Sequence, residues 1–229
     1  MNTETIISIF NEFDHQFNYK SHSELNSGHI NDTFLIKTDG GINYILQRIN
    51  QIVFKDVPGL VNNKVLTSNH IRSKYPKASN EALNNTVLSF VKAKNSTLYY
   101  YNEGINFWNM MIFIDDSVTH EIVNNKEIAY EGGKLLGDFL NLTADFDSSQ
   151  LIDVIPNFHN MSFRYKQYAS SIKSALKSRL TKAAKYIQIV ADLKEEMHIL
   201  QNLKDAGKIP IRVTHNDTKI SNSLFTQDN

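Results

Sequence analysis

Near the C-terminal end, "THNDTKISN" brings together His215, Asp217, Lys219 and Asn222 within eight residues. Phosphoryl transfer needs a carboxylate that orients the attacking hydroxyl and accepts its proton, and an oxygen ligand for the Mg²⁺ that accompanies the nucleotide. Asp217 and Asn222 can supply both from one loop. Lys219 can offset charge developing on the transferred group, while His215 is suited to orienting the loop. The same residues also read as an Asx turn joining two strands, because Asn and Asp bond their own backbone in turns. The short apolar runs "IRV" and "SLF" on either side are strand-like and would hold the loop at a sheet edge.

The elements upstream must position this loop. Ile6, Ile9, Phe10 and Phe13 recur at the spacing of one helical face and predict an amphipathic opening helix. "TFLIK" and "NYILQRI" flank the turn residues "TDGG" and predict a hairpin. Asp56 as N-cap and Pro58 in the first turn start a helix that runs toward Tyr75. Three β-rich runs follow, "TVLSFVK", "TLYYY" and "FWNMMIFI", giving about five strands for one antiparallel sheet with a helix against it.

From about residue 120 the pattern turns helical. Residues 126 to 142 place Ala129, Leu135, Leu136, Phe139 and Leu140 on an apolar face, with Gly132, Gly133 and Gly137 permitting close approach of other helices. Two more helices are expected over 161 to 178 and 182 to 206, the latter ending at Gly207. A β-rich half followed by an α-rich half, with a boundary near 113 to 121, indicates an α+β fold with two lobes.

The chain has 229 residues, 24 basic and 24 acidic, and no cysteine. Balanced charge argues against bulk electrostatic binding to nucleic acid or anionic membrane. Without cysteine there is no disulfide framework, thiolate metal site or cysteine nucleophile. The N-terminus lacks the pattern of a secretory signal and no apolar run nears the ~20 residues of a membrane span, so a soluble, cytoplasmic protein is expected. His120, His159 and His198 show no metal-ligand spacing, and Trp108 and the methionines beside it read as core. Composition sets no oligomeric state.

Four segments together resemble a known family: "SGHINDTFLI" at 27 to 36, "YILQRIN" at 44 to 50, "IPNFHNMSFRY" at 155 to 165 and "IPIRVTHNDTKISNSLF" at 209 to 225. They resemble the aminoglycoside phosphotransferase and choline kinase superfamily, and within it the N-acetylhexosamine 1-kinase-like branch. "RVTHNDTK" is the most specific of them.

The resemblance implies a protein-kinase-like two-lobed fold. An antiparallel N-lobe sheet with a helix would occupy 1 to 115, and an incomplete helical C-lobe 116 to 229. It implies ATP and Mg²⁺ as cofactors and a small-molecule acceptor, an amino sugar phosphorylated at its anomeric hydroxyl. Amino alcohols, aminoglycosides and homoserine-like compounds are the acceptors of other branches.

By the same resemblance, Asp217 is the catalytic base and Asn222 the metal ligand, with Lys219 and His215 beside them. Gly28, Asn31 and Thr33 belong to the loop over the nucleotide phosphates, where Gly28 also reads as a plain turn glycine. His29 would face the sugar or lie on the hairpin surface. Arg48 is the strand cation for phosphate, or a solvated strand charge. Backbone groups from Phe113 to Asp115 would bond adenine.

Two departures from the family pattern stand out. The helix after the hairpin offers Asn62 and Asn63 where a glutamate would pair with the strand cation. Only "TQDN" follows Phe225, so Asp228 is the one candidate for a second metal-binding Asp, and a truncated kinase, or a nucleotide-binding pseudokinase fragment, is expected.

Overall fold

The computed structural model describes residues 1 to 25 and 30 to 227. Helix α1 (Thr3–Phe10) opens the chain, capped by the Asn2 side chain on the Thr5 N–H. Strands β1 (Tyr19–Glu24), β2 (Asp32–Thr38) and β3 (Tyr44–Ile49) follow, then helices α2 (Val57–Ser73) and α3 (Asn80–Asn84). Strands β4 (Phe90–Val91), β5 (Tyr100–Asn102) and β6 (Phe107–Ile112) complete an antiparallel sheet in the order β1-β2-β3-β6-β4, with β5 sharing the β6 edge. The predicted hairpin is β2–β3, and Asp56 caps α2 by accepting the Gly59 N–H at 2.8 Å.

The first strand, "YKSHSE", escaped the sequence reading. It is an edge strand in which only Tyr19 and His22 are half-buried and the other four residues are exposed, so it lacks the apolar signal of a buried strand.

The two faces of the sheet are covered by different helices. On one, Phe34, Ile36, Tyr44, Leu46, Trp108 and Met110 pack with Ile6, Ile9 and Phe10 of α1. All four residues of the predicted opening face are buried, Phe13 included. On the other, Ile49 packs with Val57, Val61 and Val65 of α2. Odd- and even-numbered residues of β3 therefore serve different helices, as the two-residue period of a strand requires.

A small second sheet pairs β7 (Ser117–Val118) with β8 (Phe225–Thr226). Helix α4 (Lys126–Leu142) lies between them in sequence, capped by Asn125. The apolar face expected on α4 is only partly realised. Leu136 and Phe139 are half-buried, but Ala129, Leu135 and Leu140 are exposed and Ile128 is the buried residue. Of the three glycines only Gly132 meets a close neighbour, and that neighbour is Ile220 rather than another helix.

Residues Met1–Val154 with Arg212–Asn229 form one compact unit and Ile155–Ile211 a second. The second holds α5 (Met161–Ser174), α6 (Lys177–Asp192) and α7 (Lys194–Asp205), with α7 packed on both of the others. The single helix expected over 182 to 206 is thus two, meeting at Leu193, which ends α6 and starts α7. The apolar spacing runs through the joint and conceals it. Among the described residues no helix is long and apolar enough to cross a membrane.

Candidate active site

The loop from Thr214 to Asn222 belongs to the same compact unit as the main sheet. Its entry is not the strand expected at "IRV", since residues 211 to 213 have no ladder partner. Its exit is a strand, but a short one, with Phe225 opposite Val118 and Thr226 opposite Ser117. The chain turns at Asn216, whose φ of 64° is a left-handed value that Asn enters more readily than most residues. The Asn216 Oδ1 accepts the Thr214 hydroxyl at 2.6 Å. A 3-10 turn at Ile220–Asn222 then reverses the chain.

That reversal brings Asn222 onto Asp217. The Asn222 amide nitrogen donates to the Asp217 carbonyl oxygen at 2.9 Å and to the carboxylate at 2.8 Å. Two acceptors on one side fix the amide orientation and turn its oxygen away from Asp217. Lys219 Nζ lies 4.0 Å from the same carboxylate, which stays 64% exposed. His215 presents its ring edge-on to Phe139 of α4, with centroids 6.2 Å apart. Gly132 on α4 approaches Ile220 so closely that an added Cβ would stand 2.5 Å from its Cδ1. His215 and Ile220 thus both contact α4, while Asp217, Lys219 and Asn222 stand together as one exposed acid–amide–cation group.

Hard divalent cations such as Mg²⁺ take one or two protein oxygens and complete their shell with water and phosphate. The outward Asn222 oxygen fits that role as a single protein ligand. Among the described residues no cluster of three or more acidic or histidine side chains forms a metal cage of its own. Asp228 lies outside the described residues.

The nucleotide-binding expectations distribute differently. Gly28 and His29 lie outside the described residues. Asn31 accepts the Asn50 N–H at 2.9 Å and so ties the start of β2 to the end of β3. Thr33 accepts from the Gln47 side chain at 3.1 Å.

Arg48 shares the Leu46 face, away from α2, and pairs with Asp32 through its Nε at 2.6 Å. Phe113 donates its N–H to Asn43 at 2.9 Å, extending the β3–β6 pairing, so that donor is committed within the sheet. Asp115 accepts from the Asn43 amide at 3.1 Å.

Three residues that the sequence reading passed over lie on the α2 face. Gln47 stands opposite Thr33 on one side and Asn109 on the other. Lys64 of α2 donates to Gln47 Oε1 at 3.4 Å, and burial lowers its pKa from 10.5 to about 8. One signal was available: Lys64 falls three residues after Val61 and seven after Val57, within the apolar stripe of α2.

No protein-family model matches the chain. A solved structure does: the spectinomycin phosphotransferase APH(9)-Ia, in complex with ADP and spectinomycin, superposes with a TM-score of 0.58 at 10% sequence identity. The match covers 100% of this chain and 66% of that one. At that identity the likeness speaks for architecture, and the chain has the α+β, kinase-like fold of that phosphotransferase.

Proposed function

We propose that this protein is an ATP-dependent phosphotransferase acting on the hydroxyl of a small molecule, with an N-acetylhexosamine as the acceptor and its anomeric hydroxyl as the nucleophile. The observation that carries the reading is the Asp217–Asn222 pair, held in an exposed loop on a fold shared with a phosphotransferase. In the reaction the acceptor oxygen forms a bond to the γ-phosphorus, the bond from that phosphorus to the ADP oxygen breaks, and Asp217 takes the hydroxyl proton. Asn222 would hold Mg²⁺, which when bound neutralises charge on the phosphates. Lys219, 4.0 Å from Asp217, would offset charge on the transferred group, and His215, against Phe139 of α4, would orient the loop. Residues 1 to 115 would form the nucleotide-binding lobe and 116 to 229 a partial, helical second lobe ending just after the catalytic loop. Use of ATP and Mg²⁺ suits the cytoplasm.

The test is ADP release by the purified chain with N-acetylglucosamine, N-acetylgalactosamine, choline and spectinomycin offered as acceptors. Release dependent on an N-acetylhexosamine and lost in Asp217→Asn supports the proposal. Release with another acceptor keeps the kinase and replaces the substrate.

One observation favours a second reading, a nucleotide binder without transfer. Helix α2 contains no acidic residue, so the ion pair between helix glutamate and strand cation of protein kinases has no counterpart there. ATP binding without any acceptor-dependent ADP release would select it.

A further inference from the structure

We infer that Lys64, reaching the sheet from helix α2, is the cation that takes the phosphates of the nucleotide, aligned by Gln47 and Thr33, in place of a cation carried on strand β3. The inference rests on the nucleotide reading above.

On β2 and β3 part of the α2 face is left half-buried. Cross-strand register sets two rows across the face, Thr33 opposite Gln47 opposite Asn109 and Leu35 opposite Ile45 opposite Met111, whose β6 members are buried. Helix α2 covers the end of this face at Ile49 and Phe107. Leu35 and Ile45 stay half-buried, unlike their neighbours Phe34, Ile36, Tyr44 and Leu46 on the α1 face, which are buried. The face thus offers an apolar row beside a polar one, as a base joined to phosphates requires.

The polar row is charged from one side only. Thr33, Gln47 and Lys64 form a continuous chain of hydrogen bonds at 3.1 Å and 3.4 Å. Among the described residues no carboxylate lies within 4.0 Å of Lys64. A partly buried ammonium facing only neutral groups carries a desolvation cost that an anion can offset. Asn109 adds an independent sign. It is fully buried, yet neither of its amide atoms has a partner among the described residues, and such atoms are rare in interiors without a ligand or water to meet them. Arg48 sits on the opposite face of β3, where its charge is met by Asp32.

The experiment compares binding of MgATP and of adenosine by wild type, Lys64→Met, Lys64→Arg and Arg48→Met using calorimetry. Loss of one charge-assisted contact should weaken MgATP binding about 10- to 100-fold in Lys64→Met, leave adenosine unchanged, and be largely restored in Lys64→Arg. Arg48→Met should bind MgATP as wild type does. Because a core-facing substitution can perturb folding, acylation footprinting of wild-type lysines gives a second readout: MgATP, but not adenosine, should protect Lys64. Wild type that binds MgATP while Lys64→Met binds it equally, or while Lys64 is unprotected, overturns this inference alone. Wild type that binds no MgATP overturns the nucleotide reading and this inference with it.

Discussion

Asn222 donates through one amide nitrogen to both the backbone carbonyl and the carboxylate of Asp217, at 2.9 Å and 2.8 Å. Residues five apart are thereby tied into a closed loop whose acid is aimed by its own chain. In Asn222→Ala both bonds are lost and the carboxylate gains rotational freedom. Acceptor-dependent ADP release should fall on the order of 100-fold, the scale of small misplacements of reacting groups. Because the loop is exposed, thermal unfolding should register a loss of only ~1 kcal/mol. Activity that survives unchanged would separate the clamp from the chemistry.

The approach of α4 to the loop is testable by a double-mutant cycle. Gly132→Ala removes a flexible residue from a helix interior, a gain of ~0.5–1 kcal/mol by itself, but its Cβ would stand 2.5 Å from Ile220 Cδ1. The single substitution should therefore be close to neutral in urea denaturation. In the Ile220→Ala background the same change should show its full stabilisation, giving a coupling of at least about 0.5 kcal/mol.

Lys64 makes stability depend on alkaline pH. Its pKa is lowered to about 8 in the folded protein from an ordinary 10.5, so between these values the unfolded chain binds more protons and folding is favoured as pH rises. Below pH 8 the penalty is fully present. Measured against Lys64→Met, which lacks the titration, wild type should gain on the order of 2 kcal/mol of unfolding free energy between pH 7 and pH 10. A constant difference across that range would show Lys64 to be well solvated.

Trp108 is the only tryptophan and is fully buried against the α1 face of the sheet, with Nε1 on Glu103 at 3.2 Å. Trp108→Ala should cost about 3–5 kcal/mol, the range for large aromatic truncations in cores. Tryptophan fluorescence should report cooperative unfolding of this compact unit, with emission shifting to longer wavelength as the indole meets water. Trp108→Phe, which keeps most of the volume, should lose much less.

Local pattern made a large part of the fold legible in the chain. Ile6, Ile9, Phe10 and Phe13 end in the core because their spacing admits one apolar face. The β2–β3 hairpin, the Asp56 cap and the grouping of His215, Asp217, Lys219 and Asn222 were equally visible, since each depends on residues within a few positions of one another. Edge strand β1 was hidden by its polar composition. The break at Leu193 was hidden because helical periodicity continues through it, and "IRV" is not a strand because no partner lies beside it.

What sequence determined by itself was therefore the type of element at most positions and one cluster of chemically competent side chains. Which face of β3 meets which helix was a tertiary outcome. Alternation alone puts Arg48 with Leu46 and Gln47 with Ile45, and it cannot say that α1 takes the first pair's face while α2 takes the other. Only packing decided that Arg48 pairs with Asp32 and that Lys64, a helix residue seventeen positions beyond Gln47, supplies the cation on the opposite face. The physical reason is range: periodicity orders neighbours along one element, whereas the partner of each face is chosen by contacts between elements distant in the chain.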